Sequence, residues 1–470
     1  MTEVRFHWTS PGMLRQRYAV YPPEEGDRTR PFSEKVWSRV ETLPMERLRE
    51  IQLEKIKAVV AFAWERSPFY KTLWQAYGVS PESLKFLEDI QRLPVVRKED
   101  FEASQVKSPL FGDLATFPVD SGQYMKFWST SGTTGRPRLW LVTREDHEND
   151  LYVAIRSLYA YGIRPGWRGY FGFAYPPFEG LWKIHYAAEA MGCHIIPKGP
   201  FPTAAMLRNL LTWKADFMVC TPTFAIRQGE VAEQEGIDLR QIGINVIVLA
   251  GEPGACLPET KGLIEEMWGA VVHEAMGMTE VGGPILYTCE AQAAKPYPST
   301  HMTLDYCFFE VLDPEGMTPV GPGEEGVMVL TSLFRLGMPV VRMITNDIVQ
   351  TSEEACTCGR SFPLVKGGVR GRTDDVIFIK GVKFYPAVAE AAVRSVKGLG
   401  HEFYIEYEHG NLSLVAEAAK EVDERQYPDL ALALQKECQR LTTLTLPVRM
   451  VPAGSLPRAE MKSRRLRRIH

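Results

Sequence analysis

Seven consecutive residues, Ser129-Thr130-Ser131-Gly132-Thr133-Thr134-Gly135, hold five hydroxyl side chains and two glycines, and Arg136 and Arg138 follow directly. Hydroxyls and freed backbone N–H groups can wrap an anion, and glycine lets backbone approach it closely. The two guanidiniums add charge in the fork geometry that suits phosphate oxygens. A polar surface loop has the same composition, so the segment alone leaves both readings open. It is not a Walker A loop, because Gly135 is followed by Arg136-Pro137 rather than Lys-Ser/Thr.

Three further groups of residues could do chemistry. Met276-Gly277-Met278-Thr279-Glu280 places a hydroxyl and an acid after a strand-like run and before Gly282-Gly283; a glycine-rich loop with an exposed acid is the plainer reading. Cys356-Thr357-Cys358 sets two thiols one residue apart, a tighter spacing than the commoner Cys-x₂-Cys metal motif. The tail Lys462-Ser463-Arg464-Arg465-Leu466-Arg467-Arg468 is a basic cluster that reads as a solvated terminus or a nucleic-acid arm.

The elements that must position these residues are legible from periodicity. Residues 34–80 read as helical, with a break at Ser67-Pro68. From 166 to 290, short apolar runs such as Val246–Ala250 alternate with helical stretches such as Gly180–Met191 and Leu257–Trp268, the pattern of a layered α/β domain with a largely parallel sheet. From about 301 to 365, short strands separated by Pro/Gly turns suggest a β-rich subdomain or barrel. Gly367–Arg372 reads as a hinge, and the last stretch as a small α+β module. The expected organisation is therefore α/β: a large N-terminal domain over 1–372, and a small mobile α+β C-terminal domain over 373–470.

Composition agrees with an ordinary globular protein: 470 residues, 45% hydrophobic, 24% charged, net charge −4. The acidic balance argues against a general nucleic-acid binder. No apolar run reaches the ~18–20 residues of a membrane span, and the first residues lack a signal-peptide core. Eight thinly spread cysteines do not form a disulfide framework, so a reduced cytoplasmic location is expected. Cys193, Cys220, Cys256, Cys307 and Cys438 read as packing residues.

Taken together, the motifs resemble those of adenylate-forming enzymes, and of their phenylacetate–CoA ligase branch in particular. Thr-Ser-Gly-Thr-Thr-Gly-x-Pro-basic is similar to that family's phosphate loop, with Arg138 where Lys is usual. Ala250-Gly251-Glu252-Pro253 resembles its adenine-binding segment, and Met276–Glu280 its Tyr-Gly-x-Thr/Ser-Glu motif, with Met276 in place of the aromatic. The resemblance implies that Thr130, Ser131, Gly132, Thr133, Thr134, Gly135 and Arg138 hold ATP phosphates. Gly251, Glu252, Pro253, Met276 and Gly277 would line the nucleotide, Thr279 would meet the α-phosphate, and Glu280 would hold Mg²⁺. Asp347 would take the ribose hydroxyls with Arg372 beside them, and Asp374 would be the pivot of the C-terminal domain. Leu456-Pro457-Arg458-Ala459-Glu460-Met461-Lys462 is similar to the loop that carries the catalytic lysine, which makes Lys462 that residue, with Met461 in place of a glycine. The aromatic run at 171–182 aligns with the branch's acid pocket, placing Tyr175, Pro176, Phe178, Gly180 and Lys183 around the acid, with His185 as a second polar candidate. A Cys…His pair joins the Cys-x-Cys in this branch, here Cys289 and His301 with Cys356 and Cys358, a set that would close a structural zinc site. The implied activity is ATP-dependent ligation of an aryl or arylacetic acid to coenzyme A through an acyl-adenylate, in a homodimer. An amine or carrier-protein thiol as acceptor, or a non-catalytic nucleotide-binding homologue, are the alternatives.

Overall fold

A computed structural model describes residues 20–130, 137–175, 177–379, 382–459 and 465–469. The first α-helix among the described residues is Met45–Arg66, whose Leu48, Ile51, Ile56, Val59 and Val60 recur at helical spacing and are buried. It ends at Ser67, and Pro68 starts the next helix, Pro68–Ala76, where its missing N–H costs nothing. The helical reading extends too far upstream: residues 34–44 hold only the 3₁₀ turn Arg39–Thr42, capped by Ser38 and Glu41.

Five parallel strands form one end of the large sheet, with His194–Pro197 at its edge: Arg168–Phe171, His194–Pro197, Phe217–Cys220, Val246–Ala250 and Val271–Met278. Alternate residues serve opposite faces. Phe217, Val219, Val246 and Val248 pack against helices Arg144–Ala160 and Trp182–Met191. Met218, Cys220, Ile247 and Leu249 pack against helices Thr203–Trp213, Pro222–Glu235 and Pro258–Trp268. This is a layered α/β architecture.

Beyond Val271–Met278 the sheet turns antiparallel through Gly282–Tyr287, Ser299–Met302 and Leu364–Lys366. Strands Cys307–Leu312, Glu325–Ser332 and Met343–Ser352 follow. Thr351 and Ser352 pair with Val365 and Leu364, so the β-rich segment continues the main sheet rather than closing a separate barrel. The last of these strands begins only at Met343, because buried Arg342 turns the chain at φ 49° and spends its guanidinium on Glu310.

Residues after 376 have their own apolar core, with Ile377, Phe384, Ala389, Phe403, Ile405, Leu414 and Leu434 at its centre. Hairpin Leu399–Glu408 and Asn411–Ala418 is flanked by Val448–Val451 and Leu466–Ile469, and helices Pro386–Ser395 and Tyr427–Thr442 cover it. The described end of the basic tail, Leu466–Ile469, is thus an edge strand. Arg465 pairs with Glu402 at 2.7 Å, and the guanidinium carbon of Arg467 lies 3.7 Å from the ring centre of Tyr404. No described helix is long and apolar enough to cross a membrane.

Candidate active site

The hydroxyl-rich loop joins two antiparallel strands, Tyr124–Ser129 and Leu139–Thr143. Its base is closed by Thr130 N–H donating to Arg138 O at 2.9 Å and Arg138 N–H donating to Thr130 Oγ1 at 3.0 Å. Ser131, Gly132, Thr133, Thr134, Gly135 and Arg136 lie outside the described residues. Arg138 turns inward, with Nη2 3.5 Å from Glu280 Oε1. Its Nε is buried and has no hydrogen-bond partner among the described residues. A buried donor left unmade is costly, and an anion at the mouth of the loop would satisfy it.

Glu280 and Thr279 follow the carboxyl end of strand Val271–Met278, the edge where open α/β sheets place their ligands. Gly277 is required there: a Cβ would sit 2.5 Å from Gly283 O across the sheet. Gly251-Glu252-Pro253 leaves the neighbouring strand end, with Gly251 at φ 91°, a conformation side chains resist. Glu252 Oε2 accepts from Thr223 N–H at 3.2 Å. The same loop is held from beneath by Glu274, whose Oε2 accepts from Gly254 N–H at 3.2 Å and Cys256 N–H at 3.1 Å. Burial pushes the Glu274 carboxyl up to about 7, opposed by those N–H bonds.

Asp347 and Arg372 face each other across a short antiparallel bridge, with Nη1 3.1 Å from Oδ1. Arg372 also clasps Asp374 through two hydrogen bonds of 2.9 and 2.7 Å. One guanidinium therefore joins the ribose candidate to the hinge candidate. Burial raises the Asp347 carboxyl, and Arg372 and Lys98 oppose it. Lys462 and Met461 lie outside the described residues. Arg458, from the same motif, pairs with Glu417 at 2.7 Å in its own module and lies 3.4 Å from Glu230 on helix Pro222–Glu235 of the large domain.

The aromatic segment forms a wall. Tyr175, at φ 50°, has its ring centre 4.4 Å from Phe173 and 4.6 Å from Trp182, and its hydroxyl is 2.9 Å from His185 Nδ1. Phe178 is half-buried, Gly180 lies beside its ring, and Pro176 is outside the described residues. Lys183 departs from expectation. Its ammonium is buried, 2.8 Å from both Asp150 and Glu179, so it is locked in a salt-bridge network instead of facing a ligand. Buried Arg335 completes that network on the same two carboxylates, and donates to Thr279 O at 2.8 Å. The sequence reading missed Asp150, Glu274, Arg335 and Lys126. A lone charge inside the apolar run Leu333-Phe334-Arg335-Leu336 is the signal that could have found Arg335.

Cys289, His301, Cys356 and Cys358 come together, with ligand atoms all within 4.8 Å of one another. Cys289 and Cys356 sulfurs are 3.6 Å apart, and Cys358 Sγ is 3.4 Å from His301 Nε2. A tetrahedral ion with Zn–S of about 2.3 Å separates its sulfurs by about 3.8 Å. His301 Nδ1 donates to Phe362 O at 2.9 Å, which leaves Nε2 bare for a metal. The donor set and spacing therefore fit zinc. The cluster ties loop 353–363 to strand Ser299–Met302, and Arg360 fastens the loop further to Glu41 at 2.7 Å.

Comparison with known proteins agrees with this geometry. The family model described as AMP-binding enzyme matches residues 43–333, and that of the AMP-binding enzyme C-terminal domain matches 381–468. A phenylacetate–coenzyme A ligase of Thermus thermophilus is 30% identical over 92% of this chain and 98% of its own. A crystal structure of 2-hydroxyisobutyryl-CoA ligase in the postadenylation state, in complex with 2-HIB-AMP, superposes with a TM-score of 0.89 at 29% identity, covering 95% of each chain. The same kind of enzyme in its thioesterification state, with 2-HIB-AMP and CoA, gives 0.72 at 30% identity over 96% of each.

Proposed function

The chain belongs to the AMP-binding, adenylate-forming enzyme family, and on that premise we propose that it ligates a carboxylic acid to coenzyme A through an acyl-adenylate. The observation that carries this reading is the convergence of Arg138, at the base of the hydroxyl-rich hairpin, on Glu280 at the carboxyl edge of the parallel sheet. A cation with an unused donor and a buried carboxylate, side by side, suit the two parts of MgATP: phosphate oxygens and the magnesium ion.

In the first half-reaction, an oxygen of the acid attacks the α-phosphorus of MgATP. The acyl–O–P bond forms, the bond to the β-phosphate breaks, and pyrophosphate leaves. Arg138 and the hairpin grip the leaving phosphates, Glu280 holds the magnesium of MgATP, Thr279 meets the α-phosphate, and Asp347 takes the ribose. Lys462 neutralises charge on the reacting oxygens. In the second, the coenzyme A thiolate attacks the acyl carbon, the thioester forms, AMP leaves with the electron pair of the broken C–O bond, and the thiol proton passes to solvent. Between the two, the C-terminal domain turns about Asp374. The closer match to the postadenylation-state ligase supports a structure caught on the adenylation side of that turn.

The wall built on Phe173, Tyr175 and Trp182 supports an aryl or arylacetic acid as substrate. The overall likeness to 2-hydroxyisobutyryl-CoA ligase supports a second reading, a small hydroxy acid. The Cys289–His301–Cys356–Cys358 cluster takes a structural zinc ion, which braces the sheet and stays apart from the chemistry. Pyrophosphate release, measured over a panel of aryl and hydroxy acids with and without coenzyme A, tests the proposal. Acid-dependent release with thioester formation is expected. Nucleotide binding without acid-dependent release refutes it, and release that ignores coenzyme A transfers the second step to another acceptor.

A further inference from the structure

Strand Tyr124–Ser129, which leads into the phosphate hairpin, alternates cleanly. Met125 and Phe127 are exposed, while Lys126 and Trp128 face inward. The Lys126 ammonium is 3.0 Å from His147 Nδ1 and lies over two rings, 4.5 Å from the centre of Tyr186 and 5.1 Å from Trp128. Among the described residues no carboxylate is within ion-pair distance of it. Lys183, close by, has two carboxylates at 2.8 Å. Burial pushes the His147 imidazole down to about 3, so it is neutral and accepts one of the three ammonium protons. The ring faces attract the charge without supplying a lone-pair acceptor in the plane of a hydrogen bond. Lys126 is thus a half-buried cation with hydrogen-bonding capacity to spare.

Its position gives that capacity a use. Tyr186 stacks on Trp182 at 5.5 Å, and Trp182 meets Tyr175 at 4.6 Å, so Lys126 stands at the far end of the aromatic wall. Ser129 N–H donates to Pro177 O at 2.8 Å, which fixes its strand to the aromatic segment. The other charged groups around it are already occupied. Asp150 on helix Arg144–Ala160, Glu179, Lys183 on helix Trp182–Met191 and Arg335 bind one another.

We infer that Lys126 is a specificity-determining residue of the acid site, and that it selects aromatic acids carrying a second hydrogen-bond acceptor, such as a ring hydroxyl or carbonyl, beyond the carboxylate that reacts. The inference rests on the proposed acid–CoA ligase activity. It reassigns the role of pocket cation from Lys183, which is neutralised, to a residue three positions before the phosphate loop's first hydroxyl.

The test is the ratio of kcat/KM for 3- and 4-hydroxyphenylacetate to that for phenylacetate, from coenzyme A-dependent pyrophosphate release. A ratio cancels any loss of activity common to all acids. The wild-type protein should favour at least one hydroxylated acid by about tenfold, the worth of one hydrogen bond to a charged group. Lys126→Met should bring that ratio to near one, and Lys126→Arg should keep most of it. Lys126→Leu, which likewise has no donor, is the second neutral variant, and must show the same fall if Lys126→Met is poorly folded. An unchanged ratio in the neutral variants, or a wild-type preference for the unsubstituted acid, overturns the inference while leaving the ligase reading intact. Failure to activate any acid overturns both.

Discussion

Replacing Lys183 with methionine separates a structural cation from a ligand-binding one. Asp150 and Glu179 share Lys183 at 2.8 Å each, and share Arg335 at 3.4 and 3.1 Å. Tyr306 adds a hydroxyl to Asp150. All four charged side chains are buried. The network is balanced, two cations against two carboxylates, and the charges of Lys183 and Arg335 hold Asp150 below the usual carboxylate range despite its burial. Lys183→Met leaves one uncompensated carboxylate in the interior. Removing one partner of a buried pair costs about 3–5 kcal/mol, far above the ~1 kcal/mol of an exposed bridge. Adding Glu179→Gln restores the balance of charge, so the double variant should recover about 1–3 kcal/mol of the loss. Equilibrium urea unfolding of wild type, both single variants and the double variant, followed through the large-domain transition, reads the coupling. A loss below about 1 kcal/mol for Lys183→Met, or no rescue by Glu179→Gln, refutes the network argument. A rise in KM for the acid at unchanged stability would return Lys183 to the ligand site.

Glu274→Gln keeps an oxygen for the Gly254 and Cys256 N–H groups but cannot ionise. Because burial raises the carboxyl to about 7, the folded wild type binds a proton that the unfolded chain has lost, so its stability should fall by about 3 kcal/mol as pH rises from 4.5 to 7. The variant should lack that part of the slope, and parallel pH profiles of urea unfolding would contradict the assignment. Elemental analysis of the purified protein should give about one zinc per chain, and Cys356→Ser together with Cys358→Ser should lose the metal and lower Tm; full thermal stability without bound metal rules the site out. Asp347→Asn should raise the KM for ATP about tenfold or more, since a ribose hydroxyl donates better to a carboxylate than to an amide, and an unchanged KM removes Asp347 from the nucleotide site.

The parts legible in the sequence were those fixed by local rules. The alternating apolar runs at 217–220 and 246–250 and the helices behind them follow from periodicity, because a strand covered on both faces must be apolar at every position. The Ser67-Pro68 break follows from the geometry of proline. The zinc candidates were visible by residue type, but their union was not: Cys289 and Cys356 meet only because Leu364–Lys366 pairs beside Ser299–Met302. Lys183 was misplaced for a related reason. Glu179 is only four residues from Lys183, in the turn before helix Trp182–Met191, yet Asp150 and Arg335 come from distant segments, and it is their arrival that turns a candidate ligand cation into a buried structural one.

Arg458 carries the same reasoning to the relation between the domains. Its motif identifies it as part of the loop that bears Lys462, but not what it holds. In the structure its guanidinium lies between Glu417 of its own sheet and Glu230 of the large domain, with the first contact at 2.7 Å and the second at 3.4 Å. Helix Pro386–Ser395 rests on helix Pro258–Trp268 in the same interface. A residue that keeps a firm partner at home and a looser one across the interface can release the second without exposing a bare charge. If the small domain turns as proposed, the charge of Arg458 imposes little electrostatic barrier, and Glu230 has Arg227 at 2.8 Å as a partner within its own helix. Both sides of the contact would then remain paired once it is broken, which is what an interface must satisfy if it is to be made and broken in every catalytic cycle.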